Sequence, residues 1–217
     1  MIEAVIFDLD GVLLDSEEVW DAVREAYVRE RGGRYDAEVQ RALMGMSSKE
    51  WPRYLHEHAG VPDPPEEINA KVVRGMRIAY RERLPLIPGS VEALERLSER
   101  FPLGLATSSN MSLVAYVLAI ADLAQYFQAV VSSEKVARGK PAPDVYLEAA
   151  RQLEVAPESC AAVEDSHAGI RSAHAAGMRV VAIPNASYPP DEEALARADV
   201  VLRSLDELTP EVVSGSS

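Results

Sequence analysis

Residues 5–17 read VIFDLDGVLLDSE, an apolar run that ends abruptly in two acids and a glycine. Val5, Ile6 and Phe7 have the β-branched and aromatic character of a buried strand, and Asp8, Asp10 and Gly11 close it. Two positions along an extended chain span roughly 7 Å and point the same way. Asp8 and Asp10 are thus presented together at a strand's carboxyl end. That arrangement suits a metal site, a nucleophile with its acid/base partner, or both. A solvated acidic turn is the plain alternative, and the rest of the chain decides between them.

Outward from this stretch, short apolar runs alternate with helical patterns. Strands are expected over 4–7, 103–106, 129–131, 160–163, 179–183 and 199–202. Helices are expected over 91–99, 112–121, 144–153, 168–176 and 192–198. Alternation of this kind gives an α/β fold, a Rossmann-like parallel sheet with helices on both faces. Residues 16–83 break the pattern, with no convincing strand. Val19, Trp20, Val23 and Tyr27 form a helical stripe that Gly32 and Gly33 end. Ser47 is placed to cap a helix carrying Trp51, Tyr54 and Leu55, and Ile68, Val72, Met76 and Tyr80 mark a long last helix. The domain reading is therefore a core of residues 1–15 and 84–217 with a helical insertion at 16–83. Residues 214–217 are expected to form a disordered tail.

With 217 residues, 47% hydrophobic and 26% charged, the chain has the composition of a globular protein with a substantial core. A net charge of -13 argues against nucleic acid or an anionic membrane as partner. The single cysteine, Cys160, excludes an intrachain disulfide and is expected as a buried thiol in a reducing compartment. With no leader pattern and no spanning apolar run, the expected location is cytoplasmic. A monomer or weak dimer is expected. His56, His58, His167 and His174 show no metal-ligand spacing and are read as structural or surface residues.

In open α/β sheets, ligands bind beyond the carboxyl ends of the strands. Thr107, Ser108, Ser109 and Asn110 follow the strand at 103–106, and Glu164, Asp165 and Ser166 follow the strand at 160–163. Three strands thus deliver carboxylates, which suit a hard cation, and hydroxyl and amide donors, which suit phosphoryl oxygens. Lys140, in GKPAPDVY, can bring a positive charge to the same edge.

DLDG at 8–11, Thr107, Lys140 in GKPAPDVY and EDSHAG at 164–169 occur in an order that resembles the haloacid dehalogenase superfamily. The match is to its subgroup with a helical cap after the first strand, which includes β-phosphoglucomutase-like sugar phosphatases. The resemblance implies a Mg2+-dependent phosphatase of a small phosphorylated metabolite, a sugar phosphate foremost, working through an aspartyl-phosphate. It implies Asp8 as nucleophile and Asp10 as acid and base. It implies Mg2+ on Asp8, the Asp10 carbonyl and Asp165, with Glu164 a ligand or just behind one. Thr107, Ser108 and Lys140 would bind the phosphoryl group.

Specificity would fall to the cap, where Gly45, Met46, Ser47, Ser48 and Lys49 are the candidate loop and Glu17, Trp20 and Arg77 the neighbouring candidates. A sugar-phosphate mutase is the alternative. Trp20 stands where the mutase has a hinge-region histidine, and the 44–48 segment lacks the basic residues a second phosphate needs. A dehalogenase lacks the acid at Asp10, and a phosphonate-cleaving relative would need a lysine one position from Lys49. A receiver-like domain would be shorter. The catalytic reading requires Lys140 and Asp165 to lie within about 10 Å of Asp8.

Overall fold

The computed structural model describes residues 1–185 and 189–215. Its sheet has six parallel strands in the order β3-β2-β1-β4-β5-β6. They are β1 (Ala4–Phe7), β2 (Leu103–Thr107), β3 (Phe127–Ser132), β4 (Cys160–Glu164), β5 (Arg179–Ala182) and β6 (Val200–Val201). The chain runs outward from β1 through β2 to β3, then returns to β4 on the other side of β1. That reversal makes the carboxyl ends of β1, β2 and β4 the topological switch point.

β1 reads as an unbroken apolar run because it is covered on both faces. Val5 and Phe7 face one cluster with Leu103, Leu105 and Val163. Ala4 and Ile6 face the other, with Ala106 and Ala162. The first cluster is closed by α5 (Ser90–Ser98) and α6 (Met111–Ile120), the second by α7 (Asp144–Leu153) and α8 (His167–Ala175). The α9 helix (Glu192–Leu195) is shorter than the expected 192–198. Ser214, assigned from sequence to a disordered tail, instead ends α10 (Pro210–Ser214), with Gly215 in the left-handed conformation just after it. Residues 216 and 217 lie outside the described residues.

Between β1 and β2 lie α1 (Glu17–Glu30), α2 (Ala37–Leu43), α3 (Glu50–His58) and α4 (Pro65–Glu82). α4 packs on α1, α3 and α6, and apolar side chains of this segment are continuous with the first sheet cluster. α2 escapes the sequence reading; Asp36 caps it, accepting from the Glu38 and Val39 amides. Lys49, not Ser47, is the N-cap residue of α3, and no side chain caps it. Ser47 opens the turn before it, where its carbonyl accepts from the Glu50 and Trp51 amides and its amide donates to the Glu50 carboxylate at 2.8 Å. The linkers into and out of the segment are paired with each other. The Asp15 amide donates to the Pro85 carbonyl, the Ile87 amide to the Leu13 carbonyl, and Leu14 and Leu86 form an antiparallel bridge. No helix among the described residues is long and apolar enough to cross a membrane.

Candidate active site

Phe7 pairs in register with Leu105 on one side and Val163 on the other. Asp8, Thr107 and Glu164 therefore arrive at the same edge, because each lies at the end of one of the three adjacent strands. Thr107 and Glu164 are the last strand residues, not loop residues. The loop before α7 brings Lys140 underneath, with its Nζ 2.9 Å from Asp8 Oδ1 and 2.6 Å from Glu164 Oε1. Lys140 also donates to the Ala106 carbonyl at 3.0 Å, and all three groups are buried.

Glu164 has no free oxygen. Oε1 accepts from Lys140 and from the Tyr146 hydroxyl, and Oε2 accepts from the Asp165 and Ser166 amides and the Ser166 hydroxyl. Burial raises the Asp8 pKa to about 7; Lys140 opposes the shift, and Glu164 and Asp10 add to it. Burial likewise raises Asp165 well above the carboxylate range, with Glu164 and Asp8 adding to the effect. Burial works against the Lys140 charge, but Asp8 and Glu164 outweigh it and its pKa is raised.

One carboxylate oxygen from each of Asp8, Glu164 and Asp165 lies within 4.8 Å of the others, a group that can hold a metal ion. The donor chemistry fits a hard cation: every ligand is oxygen, and Asp165 Oδ1 is buried without a hydrogen-bond partner. Asp8 Oδ1 is in the same condition apart from its ion pair with Lys140. Since Glu164 is saturated by protein donors, Asp8 and Asp165 are the pair with coordination to spare. Gly11, at φ +83°, is needed here, because a Cβ would collide with the Asp165 carboxylate.

Asp10 is held apart from this group. Its Oδ1 accepts from the Ser16 hydroxyl at 2.6 Å and from the Trp20 indole at 3.3 Å. Its Oδ2 accepts from the Ser109 hydroxyl at 2.6 Å. Thr107 Oγ1 accepts from the Ser109 amide, and the carbonyls of Ser108 and Ser109 accept from the hydroxyls of Ser133 and Ser132. The 107–110 loop is thus clamped from β3. Asn110 occupies the N-cap position of α6 without a side-chain cap, because Glu134 accepts from the Met111 amide instead. Ser166 does cap α8, accepting from the Gly169 amide.

A cavity open to one side joins these groups. Asp8, Asp10, Thr107, Ser108, Lys140 and Asp165 line its floor, and α1 and the loop after α2 form its roof. The structure puts Glu17, Trp20, Gly45 and Met46 of the expected specificity residues on that roof. It leaves Ser47, Ser48, Lys49 and Arg77 off it. Ser47 and Ser48 are buried in the loop, where the Ser48 amide donates to the Ser108 carbonyl. Lys49 reaches outward to the Val136 carbonyl, and Arg77 stacks over Tyr116 on the flank of α4 and α6.

Residues 5–183 match the family described as haloacid dehalogenase-like hydrolase. The chain belongs to that family. It is 34% identical to hexitol phosphatase B of Escherichia coli strain K12, with 99% of this chain and 97% of the relative aligned. It is 32% identical to β-phosphoglucomutase of Bacillus subtilis strain 168, over 98% of this chain and 94% of that one. The crystal structure of CbbY from Rhodobacter sphaeroides in complex with phosphate superposes with a TM-score of 0.87 at 28% identity, covering 99% of this chain and 100% of the other.

This hydrolase has cavity residues that the sequence reading does not single out. Arg24, Trp51 and His167 are the main ones. His167, expected to be structural or on the surface, opens α8 at the cavity wall. Ser16 and Ser109 matter through Asp10. Arg24 had a signal: Glu17, Trp20 and Arg24 follow helical spacing of i, i+3 and i+7 on one face.

Proposed function

We propose that the chain is a phosphatase of a small phosphorylated metabolite, with sugar and polyol phosphates foremost, and that Mg2+ is its metal. The observation that carries this is the convergence of Asp8, Asp10, Thr107, Lys140 and Asp165, from four separate stretches of chain, on one covered sheet edge. Lys140 and Asp165 both meet the 10 Å requirement, Lys140 by direct contact with Asp8 and Asp165 within the 4.8 Å acidic group. In this reading residues 1–15 and 84–217 are the catalytic core and 16–83 the cap. The buried Cys160 thiol, its pKa pushed up to about 11 by burial, fits a reducing cytoplasmic setting.

In the mechanism, Asp8 attacks phosphorus and its carboxylate becomes an aspartyl-phosphate. Asp10 gives a proton to the leaving oxygen, then takes one from the water that hydrolyses the acyl phosphate. Asp8 and Asp165 would hold Mg2+, which supplies charge neutralisation for an anion meeting an anionic nucleophile. Lys140 gives the phosphoryl oxygens a fixed cation, and Glu164 with Tyr146 holds that cation in place. Thr107 and the Ser108 amide donate to the same oxygens. Positioning and fixed charge provide the acceleration expected for a loose transition state.

The mutase alternative keeps one observation in its favour. Arg24 brings to the cavity roof a cation that the 44–48 segment lacks. Phosphate release should be followed over a panel of phosphorylated metabolites with Mg2+, beside Asp8→Asn and Asp10→Asn. Release that both substitutions abolish supports the phosphatase. Isomerisation that depends on a bisphosphate activator, without release, supports the mutase. Inactivity on the whole panel, including an aryl phosphate, sinks both.

A further inference from the structure

Arg24 is only 8% exposed, yet it has no carboxylate within ion-pair distance among the described residues, and its Nε has no hydrogen-bond partner. Buried guanidinium groups are ordinarily paired, because an uncompensated charge away from water is costly. Here the charge rests on two aromatic faces. The Arg24 carbon Cζ lies 4.6 Å from the Trp20 ring centroid and 5.1 Å from that of Trp51. The two indoles meet edge-on at 6.0 Å and fix the guanidinium in place. A cation–π contact compensates charge but leaves the N–H donors unused.

The acids nearby do not take those donors. Asp21 accepts from the Tyr35 hydroxyl at 2.7 Å. Glu17 lies beyond salt-bridge distance; burial raises its pKa, with Arg24 opposing. Arg24 lines the same cavity as Asp8 and Lys140 but comes from α1, outside the sheet edge. Lys140 already faces Asp8, Glu164 and a carbonyl beside the reacting end, so Arg24 is a second cavity cation, one with no protein acceptor among the described residues.

We infer that Arg24 is a specificity residue that binds a second anionic group, a carboxylate or a second phosphate, at the non-reacting end of the phosphorylated substrate. The planar fork of arginine matches both groups in two-point contact. The inference rests on the phosphatase reading for which end of the substrate reacts. Within that reading it favours phosphorylated sugars and polyols that carry a second anionic group, a carboxylate or a second phosphate, over those with neutral tails.

The only two tryptophans of the chain, Trp20 and Trp51, are the two that Arg24 touches, so their emission reports on a ligand reaching it. Asp8→Asn protein with Mg2+, which does not turn over, is titrated with phosphoglycolate, a hexose bisphosphate and glycerol phosphate, and affinities are also read by calorimetry. The expected result is at least tenfold tighter binding of an acidic-tail probe than of glycerol phosphate. The two acidic probes separate carboxylate from phosphate recognition. Arg24→Met in the same background should abolish the preference, and Arg24→Lys should keep part of it. Equal affinity for charged and neutral tails, or no binding of either charged-tail probe, overturns the inference. So does an Arg24→Met protein that loses all three probes alike, as a merely structural role would produce. The tail comparison needs no Arg24 variant, and a failure of the phosphatase reading would show separately, as no phosphate release by the unaltered enzyme.

Discussion

Lys140 Nζ lies closer to Glu164, at 2.6 Å, than to Asp8, at 2.9 Å. The cation that faces the reacting group is thus anchored from behind, by a carboxylate that is itself wholly buried. Tyr146 completes the anchor, donating to Glu164 at 2.8 Å. Lys140→Met should lower kcat by about 10²–10³, as loss of a preorganised charge does. Glu164→Gln should cost on the order of 3 kcal/mol of stability as well as activity, because it breaks a buried pair. Thermal melts beside phosphate-release kinetics check both, and a fully stable Glu164→Gln protein would contradict the anchoring role.

Asp10 depends on donors from both sides of the cavity. Ser109→Ala removes the one on Oδ2. We expect kcat/KM to fall about tenfold for an alkyl phosphate, near the cost of a lost charge-assisted hydrogen bond. An aryl phosphate needs less protonation of its leaving oxygen, so its loss should be smaller. Equal losses on the two substrates would remove proton transfer from the role given to Asp10.

The pH dependence follows from Asp8, whose pKa rises from 3.8 to about 7. Between those values the folded, metal-free protein holds a proton that the unfolded chain has released. Metal-free stability should therefore decline as pH rises through that window. A divalent cation has to displace this proton, so Mg2+ should add more to the melting temperature at pH 8 than at pH 5. Melts with and without Mg2+ at several pH values test this, and a Mg2+ increment independent of pH would refute it.

Gly169 lies within α8 against Glu164, and a Cβ there would collide with the Glu164 carboxylate. Inside a helix, glycine to alanine ordinarily gains about 1 kcal/mol. Here the sign should reverse, with Gly169→Ala losing about 1–3 kcal/mol from overpacking. Activity should fall with it, because displacing Glu164 shifts Lys140. A stabilised, active variant would show that Glu164 can move without consequence.

The core was legible because its strands are continuous apolar runs ending in polar residues of complementary chemistry. Thr107 and Asp165 stand at those endings, and Lys140, in the loop before α7, came from its GKPAPDVY motif; it was their joint order that placed the three. α2 was not legible, since Val39 and Leu43 are its only buried residues and leave almost no periodicity. Lys49 and Arg77 were chosen for charge, and charge does not say which face of a helix meets the cavity. Arg24 was passed over for the opposite reason: the α1 stripe was followed by its apolar members, and a buried arginine on tryptophan faces imitates one of them. Ser16 and Ser109 act through Asp10, a pairing across 99 positions in the Ser109 case, which no local pattern encodes.

The rung between Leu14 and Leu86 constrains how the roof over the cavity can lift. Outgoing and returning threads are knotted by backbone bonds on either side of that rung, so neither swings alone. Any movement of residues 16–83 against the sheet would have to flex this paired ribbon as one piece, like a book on a double-stitched spine, with the cross-linker bonds opposing a twist.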